Sequence, residues 1–210
     1  EYYLESNASG LKIQSTVILL RKILNLEFLT PIKHKIEHFE IDIAEIEDTS
    51  FMSQLINIKT LKFNSLPSRD IDLKSMTDLS KFIGPLDNNL LTSLNKCKTL
   101  KELNVEIESF GNNELNFKGI QKLIILNLKD KNLNFLKRFE NIRELEFVKC
   151  NFINLSGLEN WKFLKKLKIF YNSKLKEVEV ISQTQIEELH LENCKNITDI
   201  DSIAYCKELI

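Results

Sequence analysis

Three histidines and four cysteines are the residues of this chain best suited to chemistry, and their spacing decides what chemistry is open to them. His34 and His38 stand four apart, a separation that on a helix would aim both rings at one metal ion. Neither a second carboxylate–histidine set nor a Cys-x-x-Cys lies near them. His38 also falls inside a short apolar pattern that reads as a strand, so no metal site is expected. His190 stands among Glu187, Glu188 and Glu192 and reads as part of a charged strand surface. A serine or cysteine nucleophile needs an adjacent base and an exposed thiol or hydroxyl, and the cysteines fall in structural slots instead. The five glycines form no G-x-G and none precedes Lys-Ser or Lys-Thr, which leaves no phosphate loop. The sequence therefore predicts no catalytic residue, no cofactor and no enzyme.

The elements that would carry these residues recur. The unit L-x-x-L-x-L reads Ile36-x-x-Phe39-x-Ile41, Ile58-x-x-Leu61-x-Phe63, Leu100-x-x-Leu103-x-Val105 and Leu123-x-x-Leu126-x-Leu128. It continues as Ile142-x-x-Leu145-x-Phe147, Leu164-x-x-Leu167-x-Ile169 and Ile186-x-x-Leu189-x-Leu191. Successive starts lie 22, 42, 23, 19, 22 and 22 residues apart, where 42 is two units. Within a hexad, positions four and six point inward while five and seven point out, because strand side chains alternate. One such strand cannot bury its apolar edge alone; stacked neighbours share a core. The return segment reads Phe152, Leu155, Leu158 and Trp161, a three-residue recurrence that suits 3₁₀ turns.

Cys150 and Cys194 each stand nine positions into a unit, with Asn172 in the same slot, where a small or polar side chain meets the turning backbone. Two repeats separate the two cysteines, roughly 10 Å at a strand spacing of ~4.8 Å, which is too far for a disulfide. Cys97 and Cys206 share another slot, three residues before a leucine. Reduced thiols in an intracellular, cytoplasmic or nuclear compartment follow. A formal charge of −1 gives no drive toward nucleic acid or anionic membrane, and no apolar run reaches the ~18 residues that span a bilayer.

The rhythm breaks twice. Residues 1–35 hold no hexad; Ser15 or Thr16 is expected to cap a helix carrying Val17, Leu20, Ile23 and Leu24, ending near Pro31, as an N-terminal cap or the end of an upstream unit. Near 79–99 one unit is degenerate: Leu79-x-x-Phe82 keeps register, but Gly84-Pro85 should cut the strand short. Asp87 should then cap a helix carrying Leu90, Leu91 and Leu94. Either a binding insertion or sequence drift explains this interruption. Leu209 would open another hexad, so further repeats or a polar cap are expected beyond Ile210.

The seven hexads over 36–210 resemble those of leucine-rich-repeat proteins. Cys150 to Leu164 is similar to the 22-residue subclass of a phosphatase regulatory subunit and of bacterial internalins. Cys194-x-x-Ile197-Thr198-Asp199 with Ala204-Tyr205-Cys206 is closer to the cysteine-containing subclass of ubiquitin-ligase substrate readers. The resemblance implies an α/β fold: a right-handed solenoid of about eight units with a concave parallel β-sheet and short helical or 3₁₀ convex segments. It also implies a scaffold that binds a protein partner, and the lack of a bilayer-length apolar run adds that no membrane insertion is expected. Alternatives are the recognition or regulatory arm of a ubiquitin ligase or phosphatase, and an extracellular internalin-like adhesin.

On that reading the outward positions form columns of mixed charge. Position three includes Ile125 and Lys166, position five Lys168 and His190, and position seven Val148 and Phe170. Apolar and aromatic residues on a solvated sheet are candidate interface anchors, which singles out Val148, Phe170, the adjoining Tyr171, and Ile124-Ile125 one repeat earlier. Lys165, Lys166 and Lys168 would meet an acidic ligand. The other reading of Phe170 and Tyr171 is that they pack under a flanking loop. No column is basic throughout, which disfavours nucleic acid.

Overall fold

A computed structural model describes residues 2–6, 10–15, 25–42, 47–67, 69–111 and 115–210. The chain divides into two compact units, residues 1–100 and 101–210. In the first, strands β1 (Tyr2–Ser6), β2 (Gly10–Ser15), β3 (His38–Asp42), β4 (Thr60–Phe63) and β5 (Lys81–Pro85) lie in chain order. β1 runs antiparallel to β2, and each later neighbour is parallel to the one before. Leu11 and Ile13 of β2 stand opposite Phe39 and Ile41. The sheet therefore begins ahead of residue 36, in a stretch that the hexad spacing leaves blank. The helix expected around Val17 to Leu24 lies outside the described residues.

Gly84-Pro85 does not cut the strand of the degenerate unit short as expected: β5 keeps five residues and includes both. Its pairing with β4 ends at Ile83, and Gly84, at φ +142°, comes so close to β4 that a Cβ there would lie 2.3 Å from the Phe63 carbonyl oxygen. No other residue fits that approach. The helix then follows as the sequence predicts: α1 spans Asn88–Leu94, and the Asp87 carboxylate accepts from the Leu90 N–H at 2.8 Å. Leu90, Leu91 and Leu94 are buried.

The second unit is five parallel strands in chain order: β6 (Glu102–Glu106), β7 (Lys122–Leu126), β8 (Glu144–Val148), β9 (Lys166–Phe170) and β10 (Glu188–Glu192). Leu103 and Val105, Leu123 and Ile125, Leu145 and Phe147, and Leu167 and Ile169 point inward and are buried. Short 3₁₀ segments at Asn134–Arg138, Leu158–Asn160, Glu179–Gln183 and Asp201–Tyr205 return the chain. Phe152, Leu155, Leu158 and Trp161 fill the space behind the sheet, as their three-residue spacing predicts. In the last turn the equivalent side chains lie open: Ile200 is 60% exposed, while Ile197 and Ile203 are half-buried.

One expectation fails here, and it matters for the site. The fourth hexad begins at Ile120, not Leu123. Leu123 pairs with Leu145 and Ile125 with Phe147, so Ile120, Leu123 and Ile125 are the inward trio. Leu126 and Ile124 face out. The starts around it then fall 20 and 22 residues apart, closer to the period than 23 and 19.

Candidate functional site

The turn after each strand sets the edge of the outer face. Asn127, Lys149, Tyr171 and Asn193, one per repeat, all adopt left-handed backbone, with φ between 55° and 61°. In three of them the N–H donates to the last carbonyl of the next strand: Asn127 to Val148, Lys149 to Phe170 and Tyr171 to Glu192, at 2.9–3.0 Å. Asparagine takes this conformation readily, whereas a tyrosine takes it at a cost. The following slot holds Cys150, Asn172 and Cys194. Asn172 is fully buried: its Nδ2 donates to the Phe152 carbonyl at 3.1 Å, and its Oδ1 accepts from the N–H groups of Lys174 and Leu175 at 2.9 and 3.0 Å.

The thiols in that slot donate instead. Cys150 Sγ reaches the Ile125 and Val148 carbonyls at 3.6 and 3.5 Å, and Cys194 Sγ those of Ile169 and Glu192 at 3.7 and 3.6 Å. All four cysteines are free. Burial pushes the Cys97 and Cys150 thiols up to about 11, and raises Cys194 and Cys206 as well. A thiol held protonated at neutral pH is a poor nucleophile.

Corrected for the frame of β7, the outer face reads differently from its prediction. Ile125 is a core residue, fully buried, because it occupies an inward position of its strand. The outward residues of β7 are Lys122, Ile124 and Leu126. Cross-strand register sets Leu126 against Val148, and Val148 against Phe170. Three half-buried apolar side chains on consecutive strands thus make a continuous stripe, with Ile124 beside it. Tyr171, 52% exposed, extends the stripe past the end of β9. His190 closes it across β10, its ring 5.0 Å from that of Phe170 and its Nε2 3.3 Å from Glu192 Oε2. Carboxylates bound the stripe at both ends. Asn127 Nδ2 donates to Glu106 at 2.6 Å and Asn193 Nδ2 to Glu192 at 3.2 Å.

The lysines singled out in the sequence have partners already. At the leading end of the strands, Glu102, Lys122, Glu144, Lys166 and Glu188 stand in register and alternate in sign. Lys122 bridges Glu144 at 3.0 Å, Lys166 bridges Glu188 at 2.9 Å, and Lys168 reaches the other oxygen of Glu188 at 2.8 Å. Lys165 pairs with Glu187 at 2.7 Å. Hydrogen bonds from Lys168 and then Lys166 hold the Glu188 carboxyl down at about 2, and the Glu188 bond raises Lys166 in turn. A dent of about 20 Å³ among Lys122, Ile124, Glu144, Glu146 and Lys168 has room for one water molecule. It is no small-molecule pocket.

The remaining candidates are dispersed. His34 lies in a 3₁₀ turn, where its carbonyl accepts from Asn57 Nδ2, and His38 opens β3, so the pair shares no helix face. Among the described residues no group of three His, Cys, Asp or Glu side chains converges on a point that would hold a metal. No described helix is long and apolar enough to cross a membrane.

A stack of parallel strands with a 20–22-residue period, an inward L-x-x-L-x-L set and 3₁₀ returns admits one description. The fold is a leucine-rich-repeat solenoid. The chain is similar in structure to an internalin (inlF) from Listeria monocytogenes, with a TM-score of 0.56 and 19% identity over 91% of this chain. It spans 58% of that protein's crystallised chain, and at this identity the likeness is one of fold. No family model and no curated protein matches the sequence.

Proposed function

We infer that this chain is a non-enzymatic scaffold whose second unit binds a protein partner on the outer face of β7–β9. The observation that carries this reading is the unbroken stripe Leu126–Val148–Phe170 with Tyr171 at its edge. Half-exposed apolar side chains on three successive strands, ringed by charge, have the layout of an interface core and rim. Val148, Phe170 and Tyr171 act as anchors, His190 packs on Phe170, and Lys166 and Lys168 stand in the rim beside them. Four unbridged thiols support an intracellular setting, in the cytoplasm or nucleus.

A photo-crosslinking residue placed at Val148 tests this directly, with the same residue at Ile153 on the return segment, 40% exposed, as the control. In lysate of the native cells the Val148 probe should capture one partner that the Ile153 probe leaves behind. Capture from Ile153 alone would move the interface off the sheet.

A further inference from the structure

The charges around the apolar stripe balance on both sides of it. Among the outward residues of β7–β10 ahead of the stripe, Lys122, Lys166 and Lys168 stand with Glu144, Glu146 and Glu188. Lys122 bridges Glu144, Lys166 and Lys168 share Glu188, and Glu146 stands between Ile124 and Lys168 in cross-strand register. Behind the stripe, Lys129 is paired with Glu108. Glu106 accepts from Asn127, Asp130 from Ser109 and the Phe110 N–H, and Glu192 from Asn193 beside His190. Those donors are neutral amides and a hydroxyl, so the three carboxylates keep their charge. Up to three residues past the left-handed positions, Lys149, Lys174 and Lys195 offset them. Neither rim has a net sign.

The stripe itself runs across the strands. Leu126, Val148 and Phe170 follow one another in register, at a strand spacing of ~4.8 Å, so it is roughly 10 Å long. That length has room for two or three apolar side chains in a row. We propose that the partner lays there an uncharged segment carrying two or three aliphatic or aromatic side chains, and that the rim charges do not select it. This rests on the docking reading above and adds to it the chemistry of the occupant. Charge complementarity chooses it. An ammonium or carboxylate brought to the stripe would shed water against a field that averages to zero, and each opposite charge within reach is already shared or matched. An apolar group is drawn there by burial alone and disturbs no ion pair.

The test is selection of a displayed library of random short peptides on the immobilised chain. The affinity of enriched peptides is then measured in sodium chloride from about 50 to about 500 mM. Enriched sequences should be rich in aromatic or aliphatic residues and near neutral in charge. Their affinity should change less than about twofold across that salt range. The K149E/K174E/K195E variant, which turns the trailing rim negative, should change it less than about threefold. Phe170→Ala should lower it about tenfold or more. Variants are scored only after circular dichroism shows the wild-type spectrum, with Val148→Ala used if Phe170→Ala disturbs it. Acidic or basic peptides that are lost with Phe170→Ala and weaken about tenfold as salt rises would overturn the uncharged occupant and leave the docking face standing. Peptides indifferent to Phe170→Ala, or no enrichment at all, would count against the face itself and the proposal with it. Sedimentation showing self-association that Phe170→Ala removes would make a second copy the occupant, against the proposal.

Discussion

Tyr171→Asn separates a binding residue from a packing residue by magnitude. Left-handed backbone costs an ordinary L-residue roughly 1–2 kcal/mol, a cost from which asparagine is largely exempt. Asn127 and Asn193 occupy the equivalent position in two other repeats, so the replacement should fit its turn and regain about 1 kcal/mol. Against this stands the lost ring. Tyr171 is 52% exposed, so the ring loses on the order of 50 Å² of apolar contact relative to asparagine, about 1 kcal/mol at 25 cal/mol per Å². The two effects nearly cancel, and stability should change by less than about 1 kcal/mol, a shift of roughly 2–4 °C or less in Tm. Binding has no such compensation: an interface tyrosine of hot-spot type contributes about 2 kcal/mol or more, or some thirtyfold in Kd. Urea unfolding followed through the fluorescence of Trp161, the single tryptophan and a buried one, gives the first number. Recovery of the cross-linked partner gives the second. A stability loss above about 2 kcal/mol would mean that Tyr171 packs under a loop, the alternative reading of its sequence. Unchanged binding in a stable variant would refute its place in the interface.

Other perturbations test the frame that holds the face. Gly84→Ala should destabilise the first unit by about 2–4 kcal/mol, from the left-handed backbone cost plus the displaced Phe63 carbonyl; a loss below 0.5 kcal/mol, about the effect of an inert surface change, in thermal unfolding would refute the close approach. Asn172→Ala strands two N–H groups and one carbonyl, and should cost about 3 kcal/mol or more at 1–3 kcal/mol per unsatisfied buried group. A mild loss by urea titration would mean that water replaces the side chain. The Glu188 carboxyl should titrate near 2 by ¹³C NMR and return toward the usual glutamate range when Lys166 and Lys168 become glutamine. Its folded-state value is depressed, so its contribution to stability is present above the ordinary 4.5 and is lost as pH falls toward 2. A Glu188 that titrates normally would mean that the ladder is open in solution.

The repeat was legible because an inward trio at fixed spacing leaves few other ways to bury its side chains. The slot held by Cys150, Asn172 and Cys194 was legible for the same reason, as was the Asp87 cap. The frame of β7 was not. Ile120, Leu123, Ile124, Ile125, Leu126 and Leu128 are all apolar, so two readings three residues apart both satisfy the hexad, and hydrophobicity cannot choose between them. Asn127 could have chosen: only the frame starting at Ile120 gives it the same place as Lys149, Tyr171 and Asn193. β1 and β2 escaped for another reason. Position one of the β2 unit is Ala8 where a leucine is expected, and β1, being antiparallel, obeys no repeat period at all.

That ambiguity in β7 and the candidate site share one cause. A strand buried on one face should alternate, and departure from alternation is what blurs its frame. β7 departs because Ile124 and Leu126, on the side turned to solvent, are apolar where β6 places Asn104 and Glu106. Nothing in the core requires this, since Leu123 and Ile125 already complete it. β8 and β9 depart at the same column with Val148 and Phe170, while β10 returns to Glu192. Within the second unit the loss of alternation thus runs along one column of three neighbouring strands, with Ile124 beside it on β7 and carboxylates marking the ends of that column. Folding alone would favour polar residues there, as it does on either side. Apolar groups kept together on that face, with a tyrosine in strained backbone beside them, are the ground on which the proposed docking surface stands.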